Sequence, residues 1–302
     1  MLHSFLKAIG FRNIHNNKEL YSILEEVVKK PDHEVITTDG HGNGFGSFSK
    51  EYGENFGITV CGDFLEKNEF HIEYYFPYFR GSTVTTYDQI EVDRFAQKEA
   101  FAGICDDMRF GATLMFYVSN AGDILEARRK YGNQFDAKNV VLSGLASNGK
   151  ILLPVLKTEQ QVKARAESAQ ERISLMAEAR EGNQEAIDHL TMNDMDTYSM
   201  LSRRLSENKE DILSIVETSF IPYGIECDQY IVIGEITDCN RTHNRMTGES
   251  VWQLSLICND VDFDIVINER DLYGEPAVGR RFRGKILLQG YIHMKQDGSA
   301  AV

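Results

Sequence analysis

The stretch that most constrains what this chain can fold into is Tyr230–Met294, where hydrophobicity repeats every second residue in four segments separated by turn-forming residues. The segments are Tyr230–Ile236, Val251–Cys258, Val261–Ile267 and Arg281–Ile292. A period of two places alternate side chains on opposite faces of a strand. Val261, Phe263, Ile265 and Ile267 therefore share one face of the third segment, with Asp260, Asp262 and Asp264 opposite. In the fourth, Phe282, Ile286 and Leu288 share a face, opposed by Arg281, Arg283 and Lys285; in the second, Trp252, Leu254 and Leu256 do so. Asn259-Asp260 reads as a tight turn because both residues tolerate positive φ. The polar run 239–250 reads as a long hairpin loop, and 269–279 as a loop holding one short helical turn. One curved antiparallel sheet, bent at Gly284 and Gly290, would bury all three apolar faces. Residues 222–302 are thus expected to form a small antiparallel, OB-like β-barrel.

Several strings in and beyond this stretch resemble a known family. GEITDCN, CNDVDFDIVINERDLYGEP and GRRFRGKILLQG are among them, with HSFLKAIGF, DMDTYSMLSRR and FIPYGIECDQY elsewhere. Together they resemble an uncharacterised domain-of-unknown-function family of Gram-positive anaerobic bacteria over nearly the whole chain. The resemblance implies a bacterial intracellular protein. That family has no assigned activity, so no catalytic residue carries over.

Upstream the pattern changes twice. Residues 2–9 predict a short helix ended by Gly10, and Lys18–Lys30 a second, capped by Asn16 or Asn17 and stopped by Pro31. Strand-like segments follow at 34–38, 45–51, 57–65, 69–79, 83–95, 98–104, 112–119, 140–145 and 150–155, the last two joined by a Ser147-Asn148-Gly149 hairpin signal. Short sequential hairpins argue for an antiparallel sheet, since a parallel one needs helical crossovers. From Thr158 the period becomes helical. Val162, Ala166, Ala169, Ile173 and Met176 form a narrow seam, Gly182 ends that helix, and Asn183, Thr191 and Asn208 are N-caps for three more. The expected architecture is α+β: an N-terminal mostly antiparallel sheet with two helices (1–155), a helical connector (156–221) and the C-terminal barrel-like module (222–302).

The 302 residues include 46 acidic and 32 basic ones, a formal charge of −14. That excess disfavours a nucleic-acid partner, because each phosphate contact needs a Lys or Arg. The five cysteines are odd in number and never spaced CxxC, which fits reduced thiols in a cytoplasm. The N-terminus lacks the pattern of a signal peptide, and no run reaches the apolar length of a membrane span.

Candidate sites are few. The glycine-rich run Asp39–Ser47 has GxGxG spacing and precedes a strand pattern, whereas a phosphate loop opens a helix. It reads as a turn that carries one acid–base candidate, His41. His71 is the other: it alternates with Glu69 and Glu73 on a strand face, an arrangement open to proton transfer but equally to a solvated salt cluster. Arg281, Arg283 and Lys285 form a basic stripe suited to an anion or a partner surface. Cross-strand pairing with Asp260, Asp262 and Asp264 would account for both stripes without a ligand. Those aspartates alternate along one strand roughly 6.6 Å apart, too far to share a cation. The histidines and cysteines match no metal spacing, and no cofactor fingerprint is present. In the aromatic run 74–79, alternation leaves Tyr75 as a surface candidate.

These features lead to a cytoplasmic, non-enzymatic binding or protein-interaction protein as the first expectation. One alternative is an enzyme with its site between the N-terminal sheet and the helical region. The other is single-stranded nucleic-acid binding by the OB-like module.

Overall fold

The computed structural model describes residues 3–294 except 15, 39–41, 66–68, 88–89, 95–99, 106–108, 110–112, 133–136, 156–158, 208–210 and 225–227. The chain opens with a 3-10 turn, Leu6–Ile9, and helix α1, Asn17–Lys29. Asn16 caps α1: its Oδ1 accepts from the Glu19 N–H at 2.9 Å while its Nδ2 donates to Glu19 Oε1 at 2.7 Å, satisfying end groups the helix cannot pair itself. Leu20, Ile23, Leu24 and Val27 recur at helical spacing and are all buried.

Four strands follow: β1 (His33–Thr38), β2 (Gly44–Gly53), β3 (Phe56–Phe64) and β4 (Phe70–Phe79). They pair antiparallel in that order. Asn55, at φ 62°, makes the turn between β2 and β3.

Three short strands come next, β5 (Ile90–Arg94), β6 (Phe101–Cys105) and β7 (Leu114–Val118), then helix α2 (Ala121–Tyr131) and the long β8 (Ala137–Leu152). Helices α3 (Glu159–Arg180), α4 (Gln184–Glu207) and the one-turn α5 (Ile212–Ile215) lead to β9 (Ser219–Pro222). The chain ends with β10 (Gln229–His243), β11 (Ser250–Cys258), β12 (Val261–Asn268), β13 (Leu272–Tyr273) and β14 (Arg281–Met294). The fold is α+β, with sheets of four and ten strands. No described helix is long and apolar enough to cross a membrane.

The larger sheet joins the two ends of the chain. β10, β11 and β12 form an antiparallel meander, and β14 pairs with β10. β8, from the N-terminal half, runs parallel to β12 and antiparallel to β14. The pairing β10–β11–β12–β8–β14–β10 therefore returns to its starting strand. Segments 1–155 and 222–302 share this sheet, since the edge of β14 is occupied by β8 along its length.

Local details differ from expectation for the same reason. Ser147-Asn148-Gly149 is no hairpin: β8 runs through it against β14 and absorbs one extra residue between Ala146 and Asn148 as a bulge. The expected loop 239–250 is strand as far as His243, paired with Ser250–Leu254. Residues 121–131, which had no element assigned, form α2. Thr191 lies inside α4, its hydroxyl bonded to the Ile187 carbonyl at 2.8 Å, whereas Asn183 does cap that helix, accepting from Glu185 N at 3.0 Å. Asn208 lies outside the described residues. Where the last of those three helices was expected there is the short α5, then β9.

Two cores result. One gathers Phe263, Ile265, Ile267, Phe282, Ile286 and Leu288 with β6, β7, α2 and the inner side of β3 and β4; Trp252 packs half-buried against it. The other packs the 3-10 turn against β8 and β12, in one cluster with Val251, Val266, Leu145 and Leu287, and α1 against β2 and β3. β12 is therefore covered on both faces from Phe263 onward, while Asp260 and Asp262 stay exposed as expected. The expected outward acidic stripe is broken at Asp264. Asp264 is buried, and its carboxylate accepts from Ser82 N at 2.6 Å, Ser82 Oγ at 2.9 Å and Ser255 Oγ at 2.6 Å. β14 is not a neighbour of β12, so the basic and acidic stripes do not meet.

Candidate functional site

Where the two sheets meet, buried polar side chains fix their relation. Gln289 on β14 is fully buried, donates to the Pro77 carbonyl at 2.8 Å and accepts from Phe79 N at 3.2 Å. Ser143 on β8 donates to the Phe79 carbonyl at 2.5 Å. Each bond answers a β4 main-chain group that would otherwise be buried unpaired.

Beyond Gln289 the strand continues into a cleft. β7 pairs with β14 only as far as Gly290. The side chain of Asn120 then takes over the edge, donating to the Ile292 carbonyl at 3.0 Å and accepting from Ile292 N at 3.1 Å. This docks the start of α2 on β14. Gly122 lets the same turn seat on the four-stranded sheet, since a Cβ there would come within 3.0 Å of Ser47 and 3.1 Å of Val35. Asp123, in the first turn of α2, is placed where a negative charge is favoured.

Asp123 is the hub. Tyr291 donates its hydroxyl to Asp123 Oδ2 at 3.4 Å, Asn120 Nδ2 lies 3.3 Å from the same oxygen, and His33 Nε2 stands 3.7 Å from Oδ1. His33 opens β1 and Tyr291 lies on β14, so the carboxylate ties α2 to strands of both sheets. The Arg80 guanidinium stacks 4.9 Å above the Tyr291 ring. Burial, with the Asp123 charge, holds the Tyr291 phenol above its ordinary pKa and keeps it a donor. His293, two residues on, places its ring 5.1 Å from Tyr291 and its Nδ1 2.7 Å from Asn139 Oδ1. With the proton on Nδ1, its Nε2 is an acceptor.

His33, Asn120, Asp123, Tyr291 and His293 line a cleft of about 490 Å³ with Glu126, Lys130 and Tyr131, and Arg80 lines the recess beside it. At its floor a recess of about 30 Å³ is lined by Ser47, Ser49, Thr59, Tyr78 and Ser119, and it shares His33, Asn120, Asp123 and Tyr291 with the outer space. A recess of that size, walled by hydroxyls, suits ordered water.

None of the described sequence candidates lines either space, and His41 is outside the described residues. His71 is exposed on β4, opposite Asp63, and lines neither space. Arg281 is buried, and its guanidinium donates to the Leu153 carbonyl at 2.9 Å, to Leu213 at 2.8 Å and to Val216. Arg283 is half-buried, and Lys285 sits 3.9 Å over the Tyr223 ring. Tyr75 is half-buried, its hydroxyl accepting from His3 N at 2.8 Å. Among the described residues no group of three or more His, Cys, Asp or Glu is placed to hold a metal ion. The cleft residues come from positions 33, 80, 120, 123, 291 and 293. The one signal in the sequence was Tyr291-Ile292-His293, two polar rings on one face of a strand that is otherwise apolar inside.

Fold and cleft together define an α+β protein of two stitched sheets with a polar, small-molecule-sized cleft at their junction. The chain belongs to a family described as a domain of unknown function from an E. rectale gene, DUF3881, whose model matches residues 6–290. Neither a curated protein nor a solved structure matches it.

Proposed function

We propose that this protein binds a small neutral or zwitterionic organic molecule in the cleft between β1, α2 and the end of β14. The observation that carries the reading is a concave space of about 490 Å³ that gathers both donors and acceptors around Asp123. Ligand sites have this size and this mixture of shaped wall and few convergent polar groups. Its charged lining, Asp123, Glu126 and Lys130, with Arg80 in the adjoining recess, carries both signs, which favours neutral and zwitterionic ligands over polyanions. The five-strand circuit supports an OB-like barrel whose fifth strand is β8. The outer face of β11 and β12, which such barrels use for nucleic acid, is occupied in part, at Val251 and Val266, by the core to which the 3-10 turn belongs, so binding is assigned to the cleft instead. Among the described residues Cys61, Cys105, Cys239 and Cys258 form no disulfide, in keeping with a cytoplasmic setting.

The test is a thermal-shift screen of the full chain against amino acids, polyols and nucleotides. Saturating ligand at a hundredfold over Kd raises stability by about 2.7 kcal/mol. A hit from the neutral or zwitterionic sets, lost in Asp123→Ala and in Tyr291→Phe, is expected. Stabilisation by nucleotides alone, or a hit unaffected by both variants, sinks the assignment.

A second reading rests on the His33–Asp123 pair, at 3.7 Å. A carboxylate that orients an imidazole equips the cleft for general acid–base catalysis. Chemical conversion of a bound hit, abolished in His33→Gln while binding persists, would favour an enzyme; unchanged hits recovered from the wild-type protein would remove that reading.

A further inference from the structure

Helices α3 and α4 form a hairpin joined by Arg172 Nη1 to Asp194 Oδ1 at 2.7 Å. Among its described side chains from 168 to 207 only Ala186 is buried, and every side chain from 191 to 200 is exposed. Met192, Met195, Tyr198 and Met200 each leave 64% or more of their surface in water. A patch of large apolar side chains on a single element marks a contact surface.

The charges on that surface say what covers it. Met192, Asp196, Ser199 and Arg203 recur at four, three and four residues and so lie on one stripe of α4, with Met195 and Met200 beside it. Asp196 and Arg203 are two turns apart and make no ion pair or side-chain hydrogen bond with any other described residue. An antiparallel copy of α4, related by a two-fold axis between Ser199 and Met200, would bring Asp196 of each chain against Arg203 of the other. A parallel alignment in register would set like charges together. The stripe is complementary to itself in one direction only.

We propose that α4 docks antiparallel on α4 of a second copy of this chain, with Met200 at the two-fold axis, Met192 and Met195 flanking it, and two Asp196–Arg203 pairs closing the seam. This is an isologous contact, in which the same surface serves both partners. It is independent of the cleft.

The experiment is light scattering of the full chain across a dilution series. Wild type is expected to dimerise at micromolar concentrations. Asp196→Arg alone, or Arg203→Asp alone, replaces both attractions with like-charge contacts and should weaken the dimer by about tenfold or more. The double variant, Asp196→Arg with Arg203→Asp, restores the pairs in reverse and should dimerise like wild type. Both positions of change are solvated, so unfolding is not the readout; circular dichroism checks this directly. A monomer at every concentration, an association indifferent to both single reversals, or a double variant no better than the singles each overturns the proposal.

Discussion

His3 shows at a single residue how burial sets a pH dependence. Its Nδ1 accepts from Phe5 N at 3.4 Å, and its ring lies 6.1 Å from Phe5 and 6.4 Å from Tyr75. Burial pushes its pKa down to about 4 from the usual 6.5. The unfolded chain therefore binds this proton more readily than the folded one. The contribution of His3 is fully present above pH 6.5 and is lost as pH falls towards 4, up to about 3 kcal/mol in all. Replacing His3 with Gln is expected to flatten that part of the stability–pH curve in urea titrations between pH 7 and 4. An unchanged slope would mean the ring is hydrated. Gly10 poses a steric limit nearby: at φ 84° its Cβ would lie 2.8 Å from that of Asn244. Asn244 is fully buried and donates to the Ile9 carbonyl at 2.8 Å. We expect Gly10→Ala to destabilise by about 1–3 kcal/mol, measured as a fall in the denaturation midpoint.

Among elements, α5 depends least on its own sequence, since a single turn cannot hold itself together. What fixes it is Arg281, whose planar guanidinium reaches carbonyls at Leu213 and Val216 and, at the end of β8, Leu153. Replacing Arg281 with Met should cost about 1–3 kcal/mol. It should also speed hydrogen exchange at 212–216 selectively, and Lys, lacking the fork, should not rescue it. Exchange unchanged in that segment would show that α5 is held otherwise. Arg281 also marks the limit of what was legible in the sequence. Alternation correctly gave the strands from Tyr230 to Met294, because facing a common core forces a period of two; Phe263, Ile265, Phe282 and Ile286 are all buried as their spacing required. It could not tell which apolar-facing strands adjoin. Alternation left open that Arg281, Arg283 and Lys285 pair across strands with Asp260, Asp262 and Asp264, whereas β8 lies between them on one side and β10 and β11 on the other. The cleft was illegible for a related reason: His33, Asp123 and Tyr291 meet only through pairings between residues far apart in the chain, and apart from the Tyr291–His293 spacing none carries a local pattern that distinguishes it from a surface polar residue.

For the whole molecule, the decisive contact is β8 against β14. Met294 lies opposite Ala137 and Arg281 opposite Leu152, so β8 covers one entire edge of the last strand and closes the circuit with β12. An uncovered edge of that length exposes a row of unpaired N–H and C=O groups and opens the core behind Phe282 and Ile286. Residues 222–302 alone should consequently fail to unfold cooperatively and should aggregate, despite containing four of the five strands of the circuit. The antiparallel register supplies a direct remedy. Because Met294 and Ala137 are neighbours, a short Gly-rich turn joining 294 to a copy of 137–155 places β8 back beside β14 as the next strand of a hairpin. Both fragments lack the N-terminal cover over Val251, Val266 and Leu287, so the comparison isolates the contribution of β8. The fused fragment is expected to give dispersed amide resonances and a single denaturation transition where 222–302 gives neither. If 222–302 folds cooperatively by itself, the closing strand is dispensable, and the coupling of the two ends of the chain through β8 would have to be abandoned.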